Sequence, residues 1–101
     1  MLIEDEVDLR VEVIEMLTFE GYNMIGAKNG REGIKLARKY MPDIIICDIM
    51  LPEKNGIAVL KKLSKYPETA STPFIFITAL SERENVRKGM NQGADDYIIK
   101  P

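Results

Sequence analysis

The chain has 101 residues, 46% of them hydrophobic and 30% charged, with a formal net charge of −2 and no histidine. That length suits one domain with a modest core, and that balance argues against disorder. It leaves no basic footprint for nucleic acid, and the missing histidine excludes Ser-His and Cys-His catalysis, histidine-ligated zinc and a histidine phosphocarrier.

Met1 to Ile3 reads as a short strand, closed by the acidic pair Glu4 and Asp5. Val7 to Glu20 reads as a helix with Leu9, Val13, Met16 and Leu17 on one face, and Gly21 takes the position where a helix ends in left-handed geometry. Tyr22 to Ala27 reads as a second strand. Asn29 followed by Glu32 forms a capping box for a helix that runs to about Tyr40, where Pro42 stops it. Asp43 to Asp48 is a near-continuous apolar run ending in Asp48, the pattern of a strand buried on both faces. Leu51 to Asn55 is a loop, and Ile57 to about Lys65 a helix with Leu60 and Leu63 inward. A polar connector from Pro67 to Pro73 precedes a fourth strand, Phe74 to Thr78. Ser81 with Glu84 forms a second capping box, opening a helix to about Gln92 that Gly93 ends. Tyr97 to Ile99 is a fifth strand, closed by Lys100. Strands alternating with helices of this length imply parallel βαβ units, with helices on both faces of one sheet.

No apolar stretch approaches the roughly 20 residues of a membrane span, and the N-terminus lacks the basic and long apolar regions of a signal peptide. The single cysteine, Cys47, excludes an internal disulfide framework and suits a reducing cytosol; on a buried strand it reads as core. Lys61-Lys62 and Arg83-Glu84 read as solvated helix faces. The acids are more telling. In an open α/β sheet, ligands bind outside the carboxyl ends of the strands. Glu4, Asp5 and Asp48 fall there and would repel one another unless a hard divalent cation such as Mg²⁺ sat among them. Lys100 falls at the same end.

At this point the chain resembles a known family, the receiver domain of two-component response regulators, over nearly its whole length. The resemblance rests on four motifs in order: Leu2-Ile3-Glu4-Asp5-Glu6, Ile46-Cys47-Asp48-Ile49-Met50-Leu51-Pro52, Phe76-Ile77-Thr78-Ala79, and Gly93-Ala94-Asp95-Asp96-Tyr97-Ile98-Ile99-Lys100-Pro101. It implies a flavodoxin-like, doubly wound α/β fold with five parallel strands in the order 2-1-3-4-5, for which receivers are a standard example. It also implies departures: the covering helix that normally follows the fifth strand is absent, the first strand is clipped, and Asn55 stands where many members have Asp. The expectation is a receiver over 1–101, trimmed at both ends, with any output domain outside the chain.

The resemblance further implies that Asp48 is the phosphoacceptor, taking a phosphoryl group from a sensor histidine kinase as an acyl phosphate. Asp5 would hold Mg²⁺ (with Mn²⁺ as a substitute) directly, Glu4 directly or through water, joined by Asp48 and the backbone carbonyl of Met50. Lys100 and Thr78 would contact phosphoryl oxygens. Thr78 and Tyr97 would form the switch, and the surface from Ser81 to Gln92 and Tyr97 to Ile99 the output. Lys88 and Asp96 would pair two receivers through the fourth helix and fifth strand. No contact of this domain with nucleic acid or membrane is expected, and the location is expected to be cytoplasmic. Such a domain is not an enzyme in the ordinary sense; it assists its own phosphorylation and dephosphorylation. Met50 and Leu80, which cannot hold a water, imply a long-lived phosphoryl group, and Lys100-Pro101 a cis peptide.

Three rivals fit less well. A haloacid-dehalogenase-type phosphatase needs a second Asp where Met50 stands, and room for a cap domain. A flavin binder needs a hydroxyl- and glycine-rich loop where Glu6-Val7-Asp8 stands. A partner-binding pseudo-receiver would not need the intact set of Glu4, Asp5, Asp48, Thr78 and Lys100.

Overall fold

A computed structural model describes residues 1–79 and 82–100. The elements run β1 (Leu2–Ile3), α1 (Val7–Phe19), β2 (Gly26–Ala27), α2 (Gly30–Tyr40), β3 (Ile45–Asp48), α3 (Gly56–Leu63), β4 (Phe74–Thr78), α4 (Arg83–Asn91) and β5 (Asp96–Ile99). The strands are all parallel, in the order β2-β1-β3-β4-β5 expected from the sequence. The chain winds outward from β1 to β2, then returns to β3 on the other side of β1. The crevice of a doubly wound sheet therefore opens at the carboxyl ends of β1 and β3.

Local chemistry sets the helix ends. Glu6 caps α1, accepting hydrogen bonds from the Asp8 and Leu9 amides at 3.0 and 2.6 Å. Gly21, at φ +100°, turns the chain out of α1, an angle glycine adopts without steric cost. Asn29 accepts the Glu32 amide at 2.8 Å, and Glu32 reaches back to the Lys28 amide at 3.1 Å, one residue earlier than a capping box would place it. Asn55 caps α3 by accepting the Ala58 amide at 2.9 Å, a role Asn fills as well as Asp. The capping box expected at Ser81 lies outside the described residues. Glu82 stands at the N-cap of α4 without a side-chain cap bond.

The core lies mainly on one face of the sheet. Ile3, Ile45, Cys47, Phe74 and Phe76 point there and pack with Ala37, Val59, Leu60 and Leu63 from α2 and α3. Each such side chain, fully buried, contributes about 1.5–3 kcal/mol. The helices come very close: a Cβ on Gly33 of α2 would strike the Ile3 side chain, and one on Gly89 of α4 the Phe76 ring. The opposite face is different. None of the α1 residues is buried, and Met16, expected inward, is exposed. The helix lies over β1 and β2, with the Ile14 side chain against Gly26, and its side chains stay half-buried or exposed there. The second strand is also shorter than its sequence pattern. Only Gly26 and Ala27 pair with β1, while Tyr22 and Asn23 are exposed on the approach.

Candidate functional site

The parallel register assembles the site. Leu2 pairs with Ile46 and Ile3 with Cys47, so the next residues along, Glu4 and Asp48, stand side by side at the strand ends. Thr78 pairs with Ile99 across β4 and β5, and the Lys100 amide then donates to the Thr78 carbonyl at 2.7 Å. That bond aims the Lys100 side chain across the end of the sheet. Its ammonium reaches Asp48 Oδ2 at 2.8 Å and Glu4 Oε1 at 3.0 Å. Glu4 and Asp48 are buried and Asp5 is exposed, yet one oxygen from each lies within 4.8 Å of the others. The expected acids and lysine are thus brought together.

The loop after β3 completes the cluster. The Met50 amide donates to Asp48 Oδ1 at 3.0 Å, fixing the carboxylate's orientation. A Cβ on Gly56 would come within 2.6 Å of the Asp48 carbonyl, so glycine lets α3 start directly against the acceptor strand. Thr78 is fully buried, and its hydroxyl donates weakly to the neighbouring Ala79 carbonyl at 3.3 Å. It stands at the rim of the site without bonding any of the acids. Tyr97 is partly exposed and lines a groove between α4 and β5 of about 400 Å³ with Thr78, Arg83, Arg87 and Ile99. Lys88 and Asp96 are both exposed, and the Asp96 carboxylate accepts the adjacent Tyr97 amide at 2.8 Å. Leu80 and the Lys100-Pro101 bond lie outside the described residues.

Electrostatics follow from burial. Loss of water pushes the Glu4 carboxyl above its ordinary value; Lys100 and the Glu6 amide pull it back only in part, and the Asp48 charge adds to the rise. Burial alone would pull the Lys100 ammonium down. Its hydrogen bond to Asp48 and its ion pair with Glu4 outweigh that and raise it. Cys47 is buried behind Asp48, and burial first, then the Asp48 and Glu4 charges, push its thiol well above the usual range, which keeps it inert.

The site also fits a divalent cation. Glu4 Oε1 is buried and accepts no hydrogen bond among the described residues, although the Lys100 ammonium pairs with it in charge at 3.0 Å. An acceptor left like this costs free energy unless something cationic satisfies it. Three oxygens of hard carboxylates suit Mg²⁺.

Two residues at the site were not singled out by the sequence. Arg10 reaches back from α1 to donate to the Glu4 carbonyl at 2.8 Å, holding the acidic turn from behind. Asn85 of α4 donates to the Met50 sulfur at 3.4 Å. A basic residue in the second turn after an acidic pair hints at the first. The second contact spans 35 residues, and no local pattern signals it.

The response regulator receiver domain family model matches residues 1–101. The chain is similar to the transcriptional regulatory protein AfsQ1 of Streptomyces coelicolor, 37% identical over all of this chain and 44% of that protein. It is also similar to the protein PilH of Pseudomonas aeruginosa, 33% identical over all of this chain and 84% of that protein. The chain therefore spans less than half the length of AfsQ1. Among solved structures, the chemotaxis response regulator CheY4 of Vibrio cholerae superposes with a TM-score of 0.92 at 28% identity, over 99% of this chain and 83% of that one.

Proposed function

The chain belongs to the response regulator receiver domain family, and on that premise we propose that it is a phosphorylation-dependent switch whose acceptor is Asp48. The observation that carries this reading is the arrangement at the sheet end: Lys100 on Asp48 at 2.8 Å, with Glu4 and Asp5 oxygens clustered beside it. A carboxylate held by one fixed amide and one ammonium is oriented for attack. One Asp48 oxygen forms the bond to phosphorus as the P–N bond of a kinase phosphohistidine breaks, and the imidazole leaves as it takes up a proton.

Glu4, Asp5, Asp48 and the Met50 carbonyl would hold Mg²⁺, which when bound offsets charge on the transferring phosphoryl oxygens. Three carboxylates, one ammonium and one divalent cation leave the site near neutral, so an incoming phosphoryl group meets little repulsion. Lys100 trades its contact with Asp48 for one with a phosphoryl oxygen. Thr78 gives up its weak bond to Ala79 and donates to another. These contacts exist only with the phosphoryl group in place, so they bias the switch. Thr78 and Tyr97 line the same groove, which gives the movement a path to the α4–β5 face. There the output is read, by a linked domain or by a separate partner, with Lys88 and Asp96 as contacts between two receivers.

The test is intact-protein mass after incubation with acetyl phosphate, in Mg²⁺ and in EDTA, on wild type and Asp48→Asn. One phosphoryl addition that needs both Mg²⁺ and Asp48 is expected. Addition that persists in Asp48→Asn, or none in a folded wild type that binds Mg²⁺, would overturn the assignment.

A further inference from the structure

The Asn85 side chain joins α4 to the loop after the acceptor strand. Its Nδ2 donates one hydrogen to Met50 Sδ at 3.4 Å and the other to Glu82 Oε2 at 2.8 Å. Both hydrogens of the amide are therefore committed, and the Glu82 carboxylate fixes which way it faces. Met50 is tied at its other end too, because its backbone amide donates to Asp48 Oδ1 at 3.0 Å. A methionine with three rotatable bonds and about half its surface exposed would otherwise sample many rotamers. Here its backbone is held against the acceptor carboxylate and its thioether against α4.

From this geometry we infer that Asn85 is a positioning residue that sets the lifetime of the phosphoryl group by pinning Met50 over its flank; the inference rests on the reading of Asp48 as the acceptor. An acyl phosphate on Asp48 is lost when water attacks phosphorus. The Met50 thioether is too weak an acceptor to orient that water, so while pinned it only obstructs. Released, it swings into solvent and the approach opens. Glu82 ties the same clasp to the segment after Thr78, since its amide donates to the Ala79 carbonyl at 3.0 Å. The lifetime thus depends on how α4 sits against the site, and not on the acids alone.

The experiment loads each protein with acetyl phosphate and Mg²⁺, removes the donor, and follows phosphoryl loss by intact mass. Asn85→Ala is expected to lose the group about threefold faster, the scale of one modest hydrogen bond. Asn85→Asp keeps the size but removes both donors, so it should match. Met50→Leu keeps the volume but removes the sulfur; it should also be fast, and adding Asn85→Ala should change nothing more. In the Asn85→Ala protein the thermal midpoint and Mg²⁺ affinity should stay at wild-type values, which a general loosening of α4 would not allow. A wild-type lifetime in Asn85→Ala, or independent effects that multiply in the double variant, would overturn the inference while leaving the acceptor assignment intact. A wild type that takes up no phosphoryl group overturns both, and shows it before any variant is made.

Discussion

On the face that carries α2, α3 and α4, Ile3, Phe74 and Phe76 are sealed, and each of the three helices approaches so closely at one point that only glycine fits at the contact. On the face that carries α1, the helix buries none of its own residues, and Ile98 and Met16 are each more than half exposed. Yet the site draws on both. Gly56 and Met50 belong to the sealed side's connections, whereas Arg10 and the Glu4-Asp5-Glu6 turn belong to the entry into α1. One face supplies most of the folding free energy. The other supplies Glu4 and Asp5, two of the three clustered acids, at the entry to a lightly anchored helix. The packed face should therefore govern stability, and the open face should govern association and the tuning of the site.

The sharpest test of that division is Phe76→Ala. The ring is fully buried, touches Phe74 edge-on at 5.2 Å, and closes against Gly89 of α4. Its removal is expected to cost about 3–5 kcal/mol, a large share of the roughly 5–15 kcal/mol of a typical domain. Urea unfolding of the two proteins measures it. A cost below about 1 kcal/mol would mean that the sealed face does not carry the fold.

The sequence made the sealed face readable and the open one misleading, for a physical reason. Runs such as Ile44-Ile45-Ile46-Cys47 and Phe74-Ile75-Phe76-Ile77 announce strands because both of their faces are apolar, and Gly21 and Gly93 mark turns because both sit at positive φ. Acids at the ends of such runs then fall together by register alone. Periodicity shows which side of α1 is apolar but not what covers it, so Met16 was expected inward and lies outside. Cap chemistry was legible at Asn29, while the same pattern missed Glu6, whose longer side chain caps α1 just as well. A contact between distant segments, such as Asn85 with Met50, depends on how close two elements come, which no local pattern encodes.

A smaller effect comes from the turn into α1. The folded-state value of Glu4 is raised by burial, so the folded protein holds that proton more tightly than the unfolded chain does. Its contribution to stability is fully present below the ordinary carboxylate value and is lost as pH rises through the raised one. Without divalent cation, urea midpoints should therefore carry a component that falls with pH across that window, and Glu4→Gln should remove it. Mg²⁺ favours the ionised carboxylate, so saturating Mg²⁺ should flatten or reverse the slope in the wild type alone. A Glu4→Gln protein with an unchanged slope would place the titration elsewhere.

The smallest effect on stability is expected on the open face itself, and it separates folding from association. Ile98 sits on the edge strand β5, about half exposed, beside Ile77 on the same face. Ile98→Ser removes apolar surface that is already largely in water, so the unfolding free energy should change by no more than about 0.5 kcal/mol. Association should change more. The exposed Ile98 continues the half-buried Ile46 and Ile75 and the buried Ile77 as an apolar stripe across β3 to β5, and exposed apolar surface of this kind drives contact between copies. Sedimentation of the 101-residue chain over a concentration series should show the wild type self-associating and Ile98→Ser shifted toward monomer. If the substitution instead lowered stability by several kcal/mol with association unchanged, Ile98 would be a core residue and the contrast between the faces would fail. If neither moved, the stripe would be too weakly apolar to matter, and the open face would be a solvated surface whose only role is to hold the acidic turn.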